Sequence, residues 1–115
     1  MAQENRANSG FGAGVPELLI LKLLQEREMY GYEIVQAIGR ATQNIVTPGE
    51  GVIYPLLHAL EKDGALRAEP RPAPLQAGGR TRIYYALTSK GVRRLFDLTD
   101  NWSRLARAVQ LVLRA

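Results

Sequence analysis

Arginine, tyrosine and histidine are the side chains whose types and spacing could do chemistry here. That chemistry is the recognition of a polyanion rather than the breaking of bonds. Arg80 and Arg82 lie two apart in "GGRTRIYYAL". On an extended chain they share a face and could set two guanidiniums against phosphates or into a minor groove. Arg71, in "EPRPAP", could join them from the other arm of a hairpin. Tyr54 and His58 stand one helical turn apart, opposite the apolar series Ile53, Leu56, Leu57 and Leu60. A phenol can donate to a phosphate oxygen or lay its ring on a thymine methyl, and an imidazole can reach a phosphate or base acceptor. Tyr32 could bond phosphate at the positive start of a helix. Glu50 could cap a helix or accept from a cytosine amine. Plainer readings compete: Tyr54 packed under the hairpin, Tyr32 in the core, His58 and the arginines as ordinary surface.

Catalytic readings lack their parts. One histidine and no cysteine leave no metal constellation and no nucleophile–base pair. Ser89 and Ser103 have no base that the sequence identifies, and "GFGAG" at 10–14 lacks both a preceding strand and the full spacing of a phosphate loop. No enzyme activity, metal or cofactor is expected. In 115 residues, 46% hydrophobic and 23% charged side chains make one globular unit. The net charge of +4 is unevenly shared. Residues 1–66 hold 5 basic and 8 acidic side chains, and 67–115 hold 10 and 3, so a polyanion would meet the second half. The longest apolar run, Leu18 to Leu24, is interrupted by Lys22 and is too short to span a bilayer. The opening residues lack the basic-then-apolar order of a secretory leader, and the absence of cysteine permits a reducing compartment. A cytoplasmic location without membrane contact is the expectation.

Five elements must position these groups, after a Gly- and Asn-rich tail at 1–14 expected to be flexible. Pro16 and Glu17 suit a helix start. Leu18 to Leu24 then cover nearly the whole circumference, which predicts a central, buried helix ending near Arg27. Gly31 opens a second helix with Ile34, Ile38 and Ala41 inward and Ala37 beside them. For the third helix two starts fit: a capping box at Thr47 with Pro48 first, or a cap at Gly49. Pro55 predicts a local bend and Gly64 a left-handed end. Two strands follow, Leu66 and Ala68 alternating in one, Ile83, Tyr85 and Leu87 in the other. The proline-rich "PRPAPLQAGG" between them reads as an exposed hairpin loop. Thr88 caps a last helix reaching about Arg114, roughly 39 Å long at about 1.5 Å per residue. Its apolar arc, which includes Leu95, Phe96, Trp102, Leu105, Val109 and Val112, is wider than one small domain needs. A second copy of the chain is the economical cover.

Helix, helix, helix, hairpin, long helix is a mainly α fold with a small β-hairpin: a winged helix-turn-helix over 15–87, followed by a dimerisation helix over 88–115. The third helix would be the one that enters a DNA groove, which explains its outer face so thin in solubilising charge.

The blocks "YGYEIVQAI" at 30–38, "GVIYPLLHALEKDGAL" at 51–66 and "GGRTRIYYALTSKG" at 78–91 resemble the PadR family of bacterial transcriptional regulators. The match runs from about Glu17 to Gly91. The single C-terminal helix and "NWSRL" at 101–105 look like the compact subfamily of small multidrug-responsive repressors, in which the corresponding tryptophan lines a drug site between subunits. There are two departures. Val52 stands where the family commonly has a threonine, losing a hydroxyl that could bond phosphate or cap the helix, and the wing is longer and richer in proline. The resemblance implies a repressor family, and the reading is a homodimeric repressor of a palindromic operator, with Tyr32, Glu50, Val52, Tyr54, His58, Arg71, Arg80 and Arg82 as the expected DNA-contacting residues. Leu95, Leu105, Val109 and Val112 would join the subunits. Trp102, Phe96 and Asp100 would receive a small aromatic or cationic inducer, although Trp102 at an interface needs no ligand to justify it. The rival reading is a winged-helix protein-interaction module without sequence-specific DNA binding.

Overall fold

The computed structural model describes residues 14–115. Of the tail expected at 1–14, only Gly14 falls among them, as the first residue of α1 (Gly14–Glu26). Leucine and isoleucine on every side of α1 bury Ile20, Leu21 and Leu24 completely or nearly so and leave Leu18, Leu19 and Leu23 half-buried. This central helix packs on α2 (Gly31–Ala41), on the sheet and on the long α4 (Ser89–Arg114). Ile34, Ala37 and Ile38 make the inward face of α2, whereas Ala41, expected inward, is exposed at its end.

The third helix, α3 (Glu50–Lys62), takes Gly49 as its cap rather than Thr47. The Gly49 carbonyl accepts from Val52 and Ile53 at 3.0 and 3.1 Å, so Pro48 lies outside the helix. The helix runs unbroken through Pro55. It ends at Gly64, whose φ of 86° lets Gly64 and Ala65 donate back to Glu61 and Leu60.

The sheet holds three strands rather than two. The short β1 (Met29–Tyr30) joins β2 (Leu66–Pro72) and β3 (Thr81–Leu87) in the antiparallel order β1-β3-β2. Strand β2 also runs further into the proline-rich stretch than expected, leaving a tip around the 3-10 turn Leu75–Ala77. Ala73 donates to the Arg80 carbonyl at 2.8 Å, and the register then puts the nitrogens of Pro70 and Pro72 on the open side of β2. An edge strand loses no ladder bond to prolines so placed.

The Thr88 hydroxyl caps α4 by accepting from Gly91 N–H at 3.1 Å. One apolar stripe then runs the length of α4. Its first part, Leu95 and Leu98, closes the domain core. Beyond Leu98 the same stripe continues through Trp102, Val109 and Val112, the last 75% exposed, with no described part of the chain over it. Leu95, expected at a dimer contact, is only 5% exposed and already packed within its own chain. Across the base of α4, Arg94 Nε donates to Glu17 at 2.6 Å and Nη1 to Asp63 at 2.5 Å, linking α1, the end of α3 and α4.

Candidate nucleic-acid interface

A groove of about 410 Å³ opens between the start of α2, the outer face of α3 and the wing. It is where the expected DNA-contacting residues converge. Tyr32, Tyr54, His58, Arg80 and Arg82 all line it; Glu50, Val52 and Arg71 do not.

The i, i+4 spacing of Glu50, Tyr54 and His58 makes one ridge along α3, with Glu50 at its first turn. His58 is exposed, whereas Tyr54 is half-buried and packs against Gly31 at the start of α2. A Cβ at Gly31 would stand 2.9 Å from the Tyr54 Cζ and closer still to Cε1, so glycine is what lets the ring lie flat there. Tyr54 thus combines the two competing readings: its body is packing and its edge is groove floor. Burial first, then the charge of Glu50 and the nearby Tyr30, push the Tyr54 phenol above its ordinary value. It stays a neutral hydrogen-bond donor, the form a phosphate oxygen requires. Tyr32 is half-exposed at the groove's edge, where its hydroxyl accepts from Gln36 Nε2 at 2.8 Å. Val52 is exposed on α3 beyond the groove.

Arg71, Arg80 and Arg82 differ in what surrounds their charge. Arg71 Nη2 lies 2.7 Å from Glu28 and 2.6 Å from Glu69, and these bonds, Glu69 first, raise its pKa further. Its charge is balanced by these two carboxylates, one just before β1 and one on β2 itself. Arg80 and Arg82 form no ion pair among the described residues. Arg82 instead lies over the Tyr30 ring, 4.2 Å from its centre. Their positive charge is uncompensated at the groove.

Sequence reasoning did not single out Tyr30, Ala73, Thr81 or Ile83 as groove residues. Nothing in a two-residue strand announces itself, so Tyr30 carried no signal. Tyr84, which strand alternation places on one face with Arg80 and Arg82, does not line the groove.

On α4, Trp102 borders a shallow depression of about 270 Å³ with Leu105, Ala106, Val109 and Gln110. Phe96 and Asp100 are not part of it. Asp100 faces Arg104 at 3.9 Å and Phe96, 73% exposed, lies off the stripe, so one protomer does not bring the three expected ligand residues together. Among the described residues no cluster of acids and histidine is arranged for a metal ion, and no helix is long and apolar enough to cross a membrane.

Comparison with known proteins agrees with this architecture. Residues 20–97 match the transcriptional regulator PadR-like family. A crystal structure from Streptococcus mutans UA159 superposes with a TM-score of 0.77 at 33% identity, covering 90% of this chain and 91% of that one. The PadR-like transcriptional regulator of Bacillus cereus gives a TM-score of 0.72 at 30% identity over 89% and 94% of the two chains. The transcriptional regulator YqjI of Escherichia coli is 36% identical over 85 residues, 74% of this chain but 38% of that protein's length. The chain belongs to the PadR-like family of transcriptional regulators and is a winged-helix regulator rather than an enzyme.

Proposed function

We propose that two copies of this chain join through α4 and repress transcription in the cytoplasm by binding a palindromic operator. The observation that carries the DNA-binding half is the groove itself. Two arginines without an ion pair, Arg80 and Arg82, face Tyr54 and His58 across it, while Arg71 is held by carboxylates. The two α3 helices enter major grooves about one helical turn apart, with Tyr54 and His58 toward the bases and Glu50 and Val52 at the leading turn. The wings grip flanking phosphates through Arg80 and Arg82, and Tyr32 adds a phosphate contact at the start of α2. The dimer half rests on the stripe of Trp102, Leu105, Val109 and Val112, an apolar face that no part of the described chain covers beyond Leu98. An aromatic or cationic inducer fits between two such stripes at Trp102, with Phe96 and Asp100 contributing only if the partner's helix brings them close. It relieves repression only if it binds the DNA-competent and incompetent dimers unequally.

The test is duplex binding measured by fluorescence anisotropy across a salt series. Contact with about six phosphates gives a log–log slope near −5. Replacing Arg80 and Arg82 together by alanine weakens binding to all sequences and makes the slope shallower by about 3–4 in a dimer. A flat salt response, or an unchanged affinity in the double variant, refutes the DNA reading and favours a protein-interaction module.

A further inference from the structure

The outer face of the wing sets a problem that the backbone cannot solve. Register pairs Tyr30 with Tyr84 and Tyr84 with Glu69 on one rung, and Arg82 with Arg71 on the next. Two arginines directly opposite on one sheet face repel each other. The rings separate them. Arg71 swings over Tyr84, 4.7 Å from its centre, and is secured there by Glu28 and Glu69. Arg82 turns the other way, over Tyr30. The two rings meet edge to face, with centres 5.4 Å apart and planes at 61°, so each fixes the other.

Resting on the DNA-binding reading above, we propose that Tyr30 is a positioning residue for DNA recognition, whose ring holds the Arg82 guanidinium at the lip of the groove. The reason is entropic. A free arginine surrenders much rotamer freedom when it takes up a phosphate, and one already stacked on a ring surrenders less. The stack leaves the in-plane N–H donors of the guanidinium available, whereas a carboxylate partner would occupy them. Tyr30 is suited to the task because its own backbone is fixed without its side chain: it pairs with β3, and its N–H donates to Glu33 Oε1 at 3.3 Å.

The experiment is a double-mutant cycle on mixed-sequence duplex DNA, with thermal unfolding followed in parallel. Tyr30→Leu keeps the bulk and removes the ring face, and weakens binding about two- to fivefold per protomer, the value of an exposed cation–π contact. In an Arg82→Ala background the same substitution costs nothing further. Tyr30→Phe retains the affinity. Arg82→Lys, a half-buried change that creates no core cavity, keeps the charge and reproduces the loss, and Tyr30→Leu adds nothing to it. Equal losses with and without Arg82, no loss in Tyr30→Leu, or wild-type affinity in Arg82→Lys overturns the proposal. If Arg80 and Arg82 together prove dispensable, the DNA reading fails with it; if they matter and the cycle shows no coupling, only the role of Tyr30 falls.

Discussion

Gly31→Ala is the sharpest single test of how the groove is built, because two effects oppose each other there. Alanine in a helix is favoured over glycine by up to about 1 kcal/mol, which taken alone predicts stabilisation. The new methyl would, however, meet the Tyr54 ring, with Cζ at 2.9 Å and the hydroxyl oxygen at 3.0 Å. The ring is half-buried and packed against the core, so it has to be driven outward. Overpacking of this kind costs about 1–3 kcal/mol and exceeds the propensity gain. The net expectation is a loss of about 1–2 kcal/mol, a fall in Tm on the order of 5 °C per kcal/mol. Duplex affinity drops as well, since Tyr54 leaves the groove floor. Urea unfolding at fixed protein concentration reads the stability, the concentration being held because self-association would shift the midpoint. In a Tyr54→Ala background the obstruction is gone, and Gly31→Ala becomes neutral or stabilising. A stabilised Gly31→Ala in the otherwise native chain, or the same loss with and without Tyr54, would refute the reasoning.

Gly91→Ala is expected to be more damaging than Gly31→Ala, because the methyl would run into the Ala65 carbonyl oxygen and stand 2.9 Å from Leu87 Cδ1, and a backbone carbonyl cannot swing aside; urea midpoints of the two variants give the comparison. Arg94→Met removes bonds to Glu17 and Asp63 that are partly open to water. Its coupling to Glu17→Gln in a double-mutant cycle should therefore stay within about 1 kcal/mol. Burial pushes the Tyr54 and Tyr85 phenols above 10.0, with Glu50 adding at Tyr54 and Glu61 at Tyr85. The folded chain thus resists their ionisation, so this stabilisation is full below pH 10.0 and is lost as pH climbs through the folded-state values. Alkaline denaturation followed by phenolate absorbance should show Tyr54→Phe and Tyr85→Phe less sensitive to base. Val112→Glu puts a charge on the exposed end of the α4 stripe, away from the core, and sedimentation should show the proposed dimer giving way to monomer without loss of helix content.

Much of this molecule is written in short-range pattern. The 3.6-residue repeat of Ile53, Leu57 and Leu60 fixes which way α3 faces, and the strand alternation around Tyr85 does the same for the wing. Thr88 and Gly64 announce the ends of helices because the bonds they form are to residues a few positions away. The groove's arginines and aromatic ridge were legible for that reason. What the pattern could not supply was the state of each charge. Arg71, Arg80 and Arg82 are alike in sequence, yet Arg71 meets Glu28, just before a strand distant along the chain, and Arg82 meets Tyr30 of that strand. Only the pairing of β1 with β3 creates those neighbours. The α4 stripe shows the same division. Its periodicity marks Leu95 and Val112 as equally apolar, but only Leu95 lies where the packed domain reaches it, so one is core and the other is surface. Local sequence determines which face an element presents, since side-chain direction follows backbone period; what that face meets depends on segments far apart in the chain, and that was decided by the tertiary structure.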